Sequence, residues 1–188
     1  RDSELDSVGN LKAGKYGARK SEIGTIGHIT AENDGLKKSE VEKAGDIKSG
    51  SHGIAGSKVG KVGNINADRH GITDSWQNEK SEVKKAGDIE AEKGISNSIV
   101  EQAGNITSER AAIHKSEVGH TGLLKTEGRS VLKSEVEKIE AIQAEGIGIQ
   151  DSKVGEVGDI TAEGTAVGSS EIGVIDGDIV TERSAFHD

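Results

Sequence analysis

Aliphatic and polar residues recur along this chain with a period of 18. Units begin at Ser3, Ser21, Ser39, Ser57, Ser81, Ser98, Ser116, Ser134, Ser152 and Ser170. Two positions after the serine stands an aliphatic residue (Ile23, Val41, Val100, Val154), and three positions later a small or aliphatic one (Ile26, Ala44, Val62, Val157). Eight positions after the serine comes Ile29, Ile47, Ile65 or Ile160, followed two residues on by a small side chain such as Ala31, Ser49 or Ala162. A last column holds Leu36, Ile54, Ile72 and Val167. Self-similarity at a fixed period marks a repeat architecture. Three units depart from it: the unit from Ser57 carries six extra residues around 75–80, the unit from Ser81 is one short, and the last has one extra near Asp176.

The pattern predicts strands. Its aliphatics are mostly β-branched, which suits a pleated surface. Ser-x-Val and Ile-x-Ala alternate with the side-chain period of a strand. About three glycines per unit weaken any helix and permit tight corners. Two packed helices need more than 18 residues, whereas three short strands fit. The expected fold is all-β: one parallel β-solenoid domain over 1–188, a single stack of about ten rungs at roughly 4.8 Å each, with handedness left undetermined. The extra segment 75–80 is expected to loop out of one corner.

Composition narrows the interior and the chemistry. The chain of 188 residues has 27 Gly, no Pro, Cys or Met, and one each of Trp, Tyr and Phe. Such a chain cannot build a thick core on aromatic anchors. The net charge of −9 argues against a nucleic-acid partner, which needs a basic face. No apolar run approaches the length that spans a membrane, so no membrane insertion is expected. The absence of Cys excludes disulfides, thiol catalysis and Cys-based zinc sites. The start at Arg1 reads as a fragment or processed product. Lys-Ser-Glu recurs at Lys20-Ser21-Glu22, Lys38-Ser39-Glu40 and Lys115-Ser116-Glu117. Stacking would place those Glu in one column, relieved by Lys58 and Lys153 and by neighbouring Lys. Tyr16 and Phe186, in the first and last units, are candidate end covers.

Two resemblances rest on the repeat. The spacing Ser152, Val154, Val157, with Asp178-Ile179-Val180-Thr181-Glu182-Arg183 and Thr107-Ser108-Glu109-Arg110-Ala111, resembles a rung of the HET-s family of fungal prion-forming domains. That likeness implies a β-solenoid that stacks into amyloid and transmits a signal, although the family has fewer and longer pseudo-repeats. Gly158 to Ala162 and Gly45 to Ser49 look like bactofilins, which implies a bacterial cytoskeletal β-helix that polymerises end to end.

Catalytic and metal sites find little support. The six histidines (His28, His52, His70, His114, His120, His187) read as surface residues falling in different columns. His28 and His120 raise the hexapeptide-repeat acyltransferases, but the aliphatic spacing here is not a steady six. The column Asn10, His28, Asp46, Asn64, Asp88, Asn105, Asp159 raises calcium. That ion needs six to eight oxygens, and one group per rung does not supply them. An Asn/Asp corner ladder is the better reading, since these residues tolerate tight turns. Asn105-Ile106-Thr107 is a glycosylation sequon. An ice-binding face would need a regular Thr array, and the column of Thr30, Thr107 and Thr161 is broken by Lys12, Lys48, Asn66, Glu90 and Lys125. No catalytic residue, cofactor or metal ligand is therefore expected. The function expected is a structural protein whose partner is itself, in a head-to-tail homopolymer forming filaments or amyloid-like fibres. The alternative is a rigid stalk or binding module of a larger, adhesin-like surface protein.

Overall fold

The computed structural model describes residues 3–75 and 79–187. Each 18-residue unit makes one coil of a β-solenoid, and all 24 strands join one parallel sheet. A representative coil has a first face at Ser21–Ile26, a second at Ile29–Ala31 and a third at Asp34–Lys37. Every strand lies on its counterpart one unit later: Ile23 pairs Val41, Ile29 pairs Ile47 and Leu36 pairs Ile54. About ten coils follow one another in this way.

The interior follows from which residues the corners turn inward. Within a face, alternation buries every second residue, as at Ile29–Ala31. Late in the first face and around the corner after it, two less buried residues separate the buried ones, so Ile23, Ile26 and Ile29 all point inward. The largest fully buried side chains are isoleucines and leucines, among them Ile47, Ile72, Ile106 and Leu124. Each contributes about 2 kcal/mol by leaving water. The bore is narrow because the isoleucine of one face fills space against the backbone of another. A Cβ built on Gly35, Gly53 or Gly71 would come within 2.3 Å of the Ile47, Ile65 or Ile89 side chain. This third-face column therefore stays at Gly, or Ala and Ser at Ala112, Ser130 and Ala166, all fully buried.

The corner before most units takes a left-handed residue. Lys20, Lys38, Asn97, Lys115, Lys133, Asp151 and Ser169 have φ between 43° and 51°, and Gly56 has 54°. The serine after it seals the corner. Its hydroxyl donates to the carbonyl two residues back, as Ser98 Oγ to Ser96 O at 2.7 Å and Ser134 Oγ to Leu132 O at 2.8 Å. The same oxygen accepts an N–H from the preceding rung: Ser39 N–H to Ser57 Oγ at 3.1 Å, Ser116 N–H to Ser134 Oγ and Ser134 N–H to Ser152 Oγ, both 3.2 Å. These buried serines form a relay along the rod, explaining the most regular polar position of the repeat.

Length changes are absorbed at corners. The six extra residues fall between the strand Ile65–Thr73 and Ser81, so Val59 pairs Val83 across 24 residues and the columns resume in phase. Ser81 Oγ donates to Thr73 O at 2.6 Å, closing the corner beneath the loop. The loop does not simply project: Ser75 is buried over Gly56, and its N–H donates to the Glu79 carbonyl at 2.9 Å. Trp76 lies outside the described residues. The missing residue of the unit from Ser81 is taken from the corner between Ala91 and Lys93, where the register shifts. The extra one near Asp176 sits between the first and second faces, and Ile160 still pairs Ile179. Tyr16 is not an end cover, since its ring lies on the third face with Lys15, Arg19 and Lys37 nitrogens or guanidinium at 5.0 to 5.3 Å. Phe186 occupies the third-face interior column above Val167.

Two outcomes are expected. Deleting 75–80 joins Asp74 to Ser81, reproducing the Asp151-Ser152 corner, so the melting temperature changes by less than about 3 °C, equivalent to about 1 kcal/mol for a chain of this size. Calorimetry of the deletion variant checks this. Lys115→Gly relieves a left-handed side chain and raises stability by up to about 1 kcal/mol, whereas the β-branched Lys115→Val lowers it by more. Denaturant titration of the two variants reads opposite signs.

Candidate functional site

The corner between the first and second faces carries the Asn/Asp column, and stacking gives it a definite role. Each side chain accepts the N–H of its counterpart one rung on: His28 N–H to Asn10 Oδ1 at 2.9 Å, Asn64 N–H to Asp46 Oδ1 at 2.8 Å, Asn105 N–H to Asp88 Oδ1 at 2.8 Å. His28 joins with its ring, Nδ1 accepting from Asp46 N–H at 3.1 Å. Its ring nitrogen is thus committed to the corner. The expected Asn/Asp ladder is present, and its oxygens face backbone N–H groups. Among the described residues no group of three or more His, Asp or Glu is placed to hold a metal ion.

The ladder also dictates the glycine before it. A Cβ on Gly27, Gly63, Gly87 or Gly104 would lie 2.2 to 2.4 Å from the Asx oxygen of the rung below. The column's departure from glycine is Glu140, and the residue below it in the ladder is Leu123, which has no such oxygen. In that region the corner straightens, and Glu117–Thr126 and Glu135–Ala144 run unbroken through both faces.

A polar cluster around a buried carboxylate lies on the third face, towards the N-terminal end. Asp34 is buried beneath Lys37 and His52; Lys37 Nζ donates to Oδ2 at 2.8 Å and His52 Nδ1 lies 2.7 Å from Oδ1. Burial pushes the Asp34 carboxyl up, but the hydrogen bonds and charges of His52 and Lys37 together outweigh it and hold the group below its usual value. The His52 and His70 rings stack at 5.1 Å. His70 is lowered to about 4, first by burial, then by the charges of His52, Lys93 and Arg69, with Glu92 opposing. His114, further along, is lowered by burial and by Lys115, Lys93, Lys133 and Arg129.

Two sequence expectations need correction here. The histidines do not all fall in different columns: His70 pairs His52 in register, and His114 and His187 share another column. Nor are all of them surface residues, since His52, His70 and His114 are half-buried. The signal was present as the 18-residue spacing of His52 and His70, but neither lies in an apolar column, which hid the alignment. Ser51 Oγ lies 3.0 Å from His52 Nδ1, the nitrogen that also faces Asp34. A Ser-His-Asp relay needs serine and carboxylate on opposite ring nitrogens, so this trio is not arranged for nucleophilic catalysis.

The outer surface carries shallow grooves along the rod. One, of about 740 Å³, runs over the second face from Asn66 to Thr161, with Asp68, Glu92, Glu109, Glu127, Glu145 and Glu163 along one side. The Lys-Ser-Glu motif contributes few ion pairs; of the Glu in that column, Glu117 meets Lys80 at 3.1 Å and Glu171 meets Lys153 at 3.9 Å. Such exposed pairs contribute little. Comparison with protein-family models, with curated proteins and with solved structures gives no match.

The cluster makes stability pH-dependent. His70 titrates near 6.5 when unfolded and about 4 when folded, so acid favours the unfolded chain. The His70 contribution to stability is fully present above pH 6.5 and is lost as the pH drops from 6.5 to about 4. His114, lowered in the same direction, adds to the loss. His70→Gln flattens the dependence of the melting temperature between pH 7 and pH 5, read by circular dichroism.

Proposed function

We propose that this chain is a structural repeat protein that assembles end to end into filaments. The observation that carries the reading is that the core columns continue into both terminal rungs. Leu5 is 47% exposed at one end and Phe186 63% exposed at the other, although both stand in columns that are buried in the middle of the rod. Val8, Ile172, Ile175 and Ile179 are only partly covered. Among the described residues no helix lies over either end, and the terminal strands have a strand partner on one side only, so their outer edge offers N–H and C=O groups to another strand. Such an edge templates another strand. A head-to-tail contact between different ends propagates as an open filament instead of closing as a dimer. The likeness to HET-s domains and bactofilins, both of which assemble, supports the same reading. The groove along the second face favours a second reading, a rigid binding stalk, in which the chain stays monomeric.

Sedimentation and electron microscopy of the purified chain separate the two. Filaments are expected for the wild type, and Ile172→Lys with Ile175→Lys is expected to abolish them while the melting temperature stays within about 3 °C, because both positions lie in the terminal rung. A wild-type chain that remains monomeric at high concentration contradicts assembly and leaves the stalk.

A further inference from the structure

We infer that Gly9 and Asp178 form a keyed junction between successive copies, which fixes the polarity and register of the filament; this rests on the end-to-end reading above. Where an Asx residue stands in the ladder, the rung-to-rung step at the first corner has three parts. A ladder side chain accepts the N–H of the residue above, as Asn64 Oδ1 accepts from Asp88 N–H at 2.9 Å. The N–H after the ladder residue donates to the carbonyl above, as Leu11 N–H to His28 O and Ile160 N–H to Asp178 O, at 2.8 and 2.9 Å. The residue above the side chain is glycine, because a Cβ there would meet the ladder oxygen at 2.2 to 2.5 Å.

The two terminal rungs each hold half of this step. Asp178 occupies the ladder position of the last rung, its N–H bonded to Asp159 Oδ1 at 2.9 Å. Its own carboxylate is exposed and has no partner among the described residues. In the first rung, Asn10 accepts nothing from below and its N–H has no acceptor among the described residues. Gly9 is the telling residue: a Cβ there would have nothing within 4 Å, so nothing inside the rod requires glycine. Of its internal counterparts, Gly27, Gly63, Gly104 and Gly177 are required by an Asx oxygen beneath them, and Gly45 and Gly158 by the backbone of the rung below.

A second copy supplies what is missing. With its first rung on the last rung of its neighbour, Asn10 N–H reaches Asp178 carboxylate, Ile179 N–H reaches Asn10 carbonyl, and Gly9 leaves room for the carboxylate. Leu5, Val8 and Leu11 then cover Ile172, Ile175 and Ile179. In the reverse stacking, first rung on first rung, each Asn10 N–H faces a rung whose ladder oxygen is already bonded to His28 N–H, so only one polarity closes the step.

The chain contains its own template for a compensating pair, since Glu140 replaces glycine where Leu123 replaces the Asx residue. The experiment measures filament elongation of the full chain by light scattering with sonicated seeds. Gly9→Val is expected to leave the melting temperature unchanged and to slow elongation by about tenfold or more, the effect of a clash with a charge-accepting hydrogen bond. Asp178→Leu alone weakens elongation, and Gly9→Glu combined with Asp178→Leu recovers more of it than Gly9→Glu alone. Filaments that elongate at the wild-type rate with Gly9→Val overturn the junction and leave end-to-end assembly standing. A wild-type chain that never assembles overturns both.

Discussion

Each residue in this rod must tolerate its own counterpart one rung away. Parallel in-register stacking places like on like at about 4.8 Å, so a side chain is acceptable only if a column of copies is acceptable. Apolar residues satisfy this by burial, and the isoleucine columns are the result. Polar residues satisfy it only when they donate in one direction and accept in the other. The serine relay and the Asn/Asp ladder are two solutions to that constraint. Each side-chain oxygen accepts a backbone N–H from the adjoining rung, leaving few buried polar groups unmatched.

The same constraint explains substitutions that look irregular along the sequence. At Gly27, Gly63, Gly87 and Gly104 glycine follows from the Asx oxygen below, and Glu140 stands where Leu123 removes that oxygen. Insertions are tolerated only at corners, because inside a face one extra residue would turn every following side chain to the wrong side. Titratable groups pay a cost when stacked: His52 and His70 share a column, and the second is held neutral.

Much of this was legible in the sequence. The period, the strand assignment, the interior columns and the site of the insertion follow from residues such as Val59, Val83, Ile65 and Ile89, whose phase survives the six extra residues. The ladder at Asp46 and Asn64 was legible as a corner device, though its acceptor role depends on backbone geometry that no residue type encodes. The left-handed Lys20 and Lys115 were not legible, because Lys carries no turn signal of its own. The Asp34–His52–His70 cluster was hidden because its members differ in type and stand on the outward side of a column that elsewhere holds Lys93, Arg129 and Ile147. Tyr16 was misplaced for a related reason: proximity to the chain start suggested an end cover, whereas column position puts it on a face.

Register, not local sequence, organises the molecule, and the insertion offers the sharpest place to measure it. The chain has no cysteine, so nitroxide labels can be attached at chosen pairs alone. Labels at Asn66→Cys and Glu90→Cys, 24 residues apart but paired across adjacent rungs, are predicted to give strong dipolar broadening in the electron paramagnetic resonance spectrum. Labels at Asn66→Cys and Lys84→Cys, 18 residues apart in sequence, are predicted to give much weaker broadening. The opposite ranking would mean that the repeat keeps an unbroken 18-residue register through the insertion, and would contradict the stacked columns on which the fold depends.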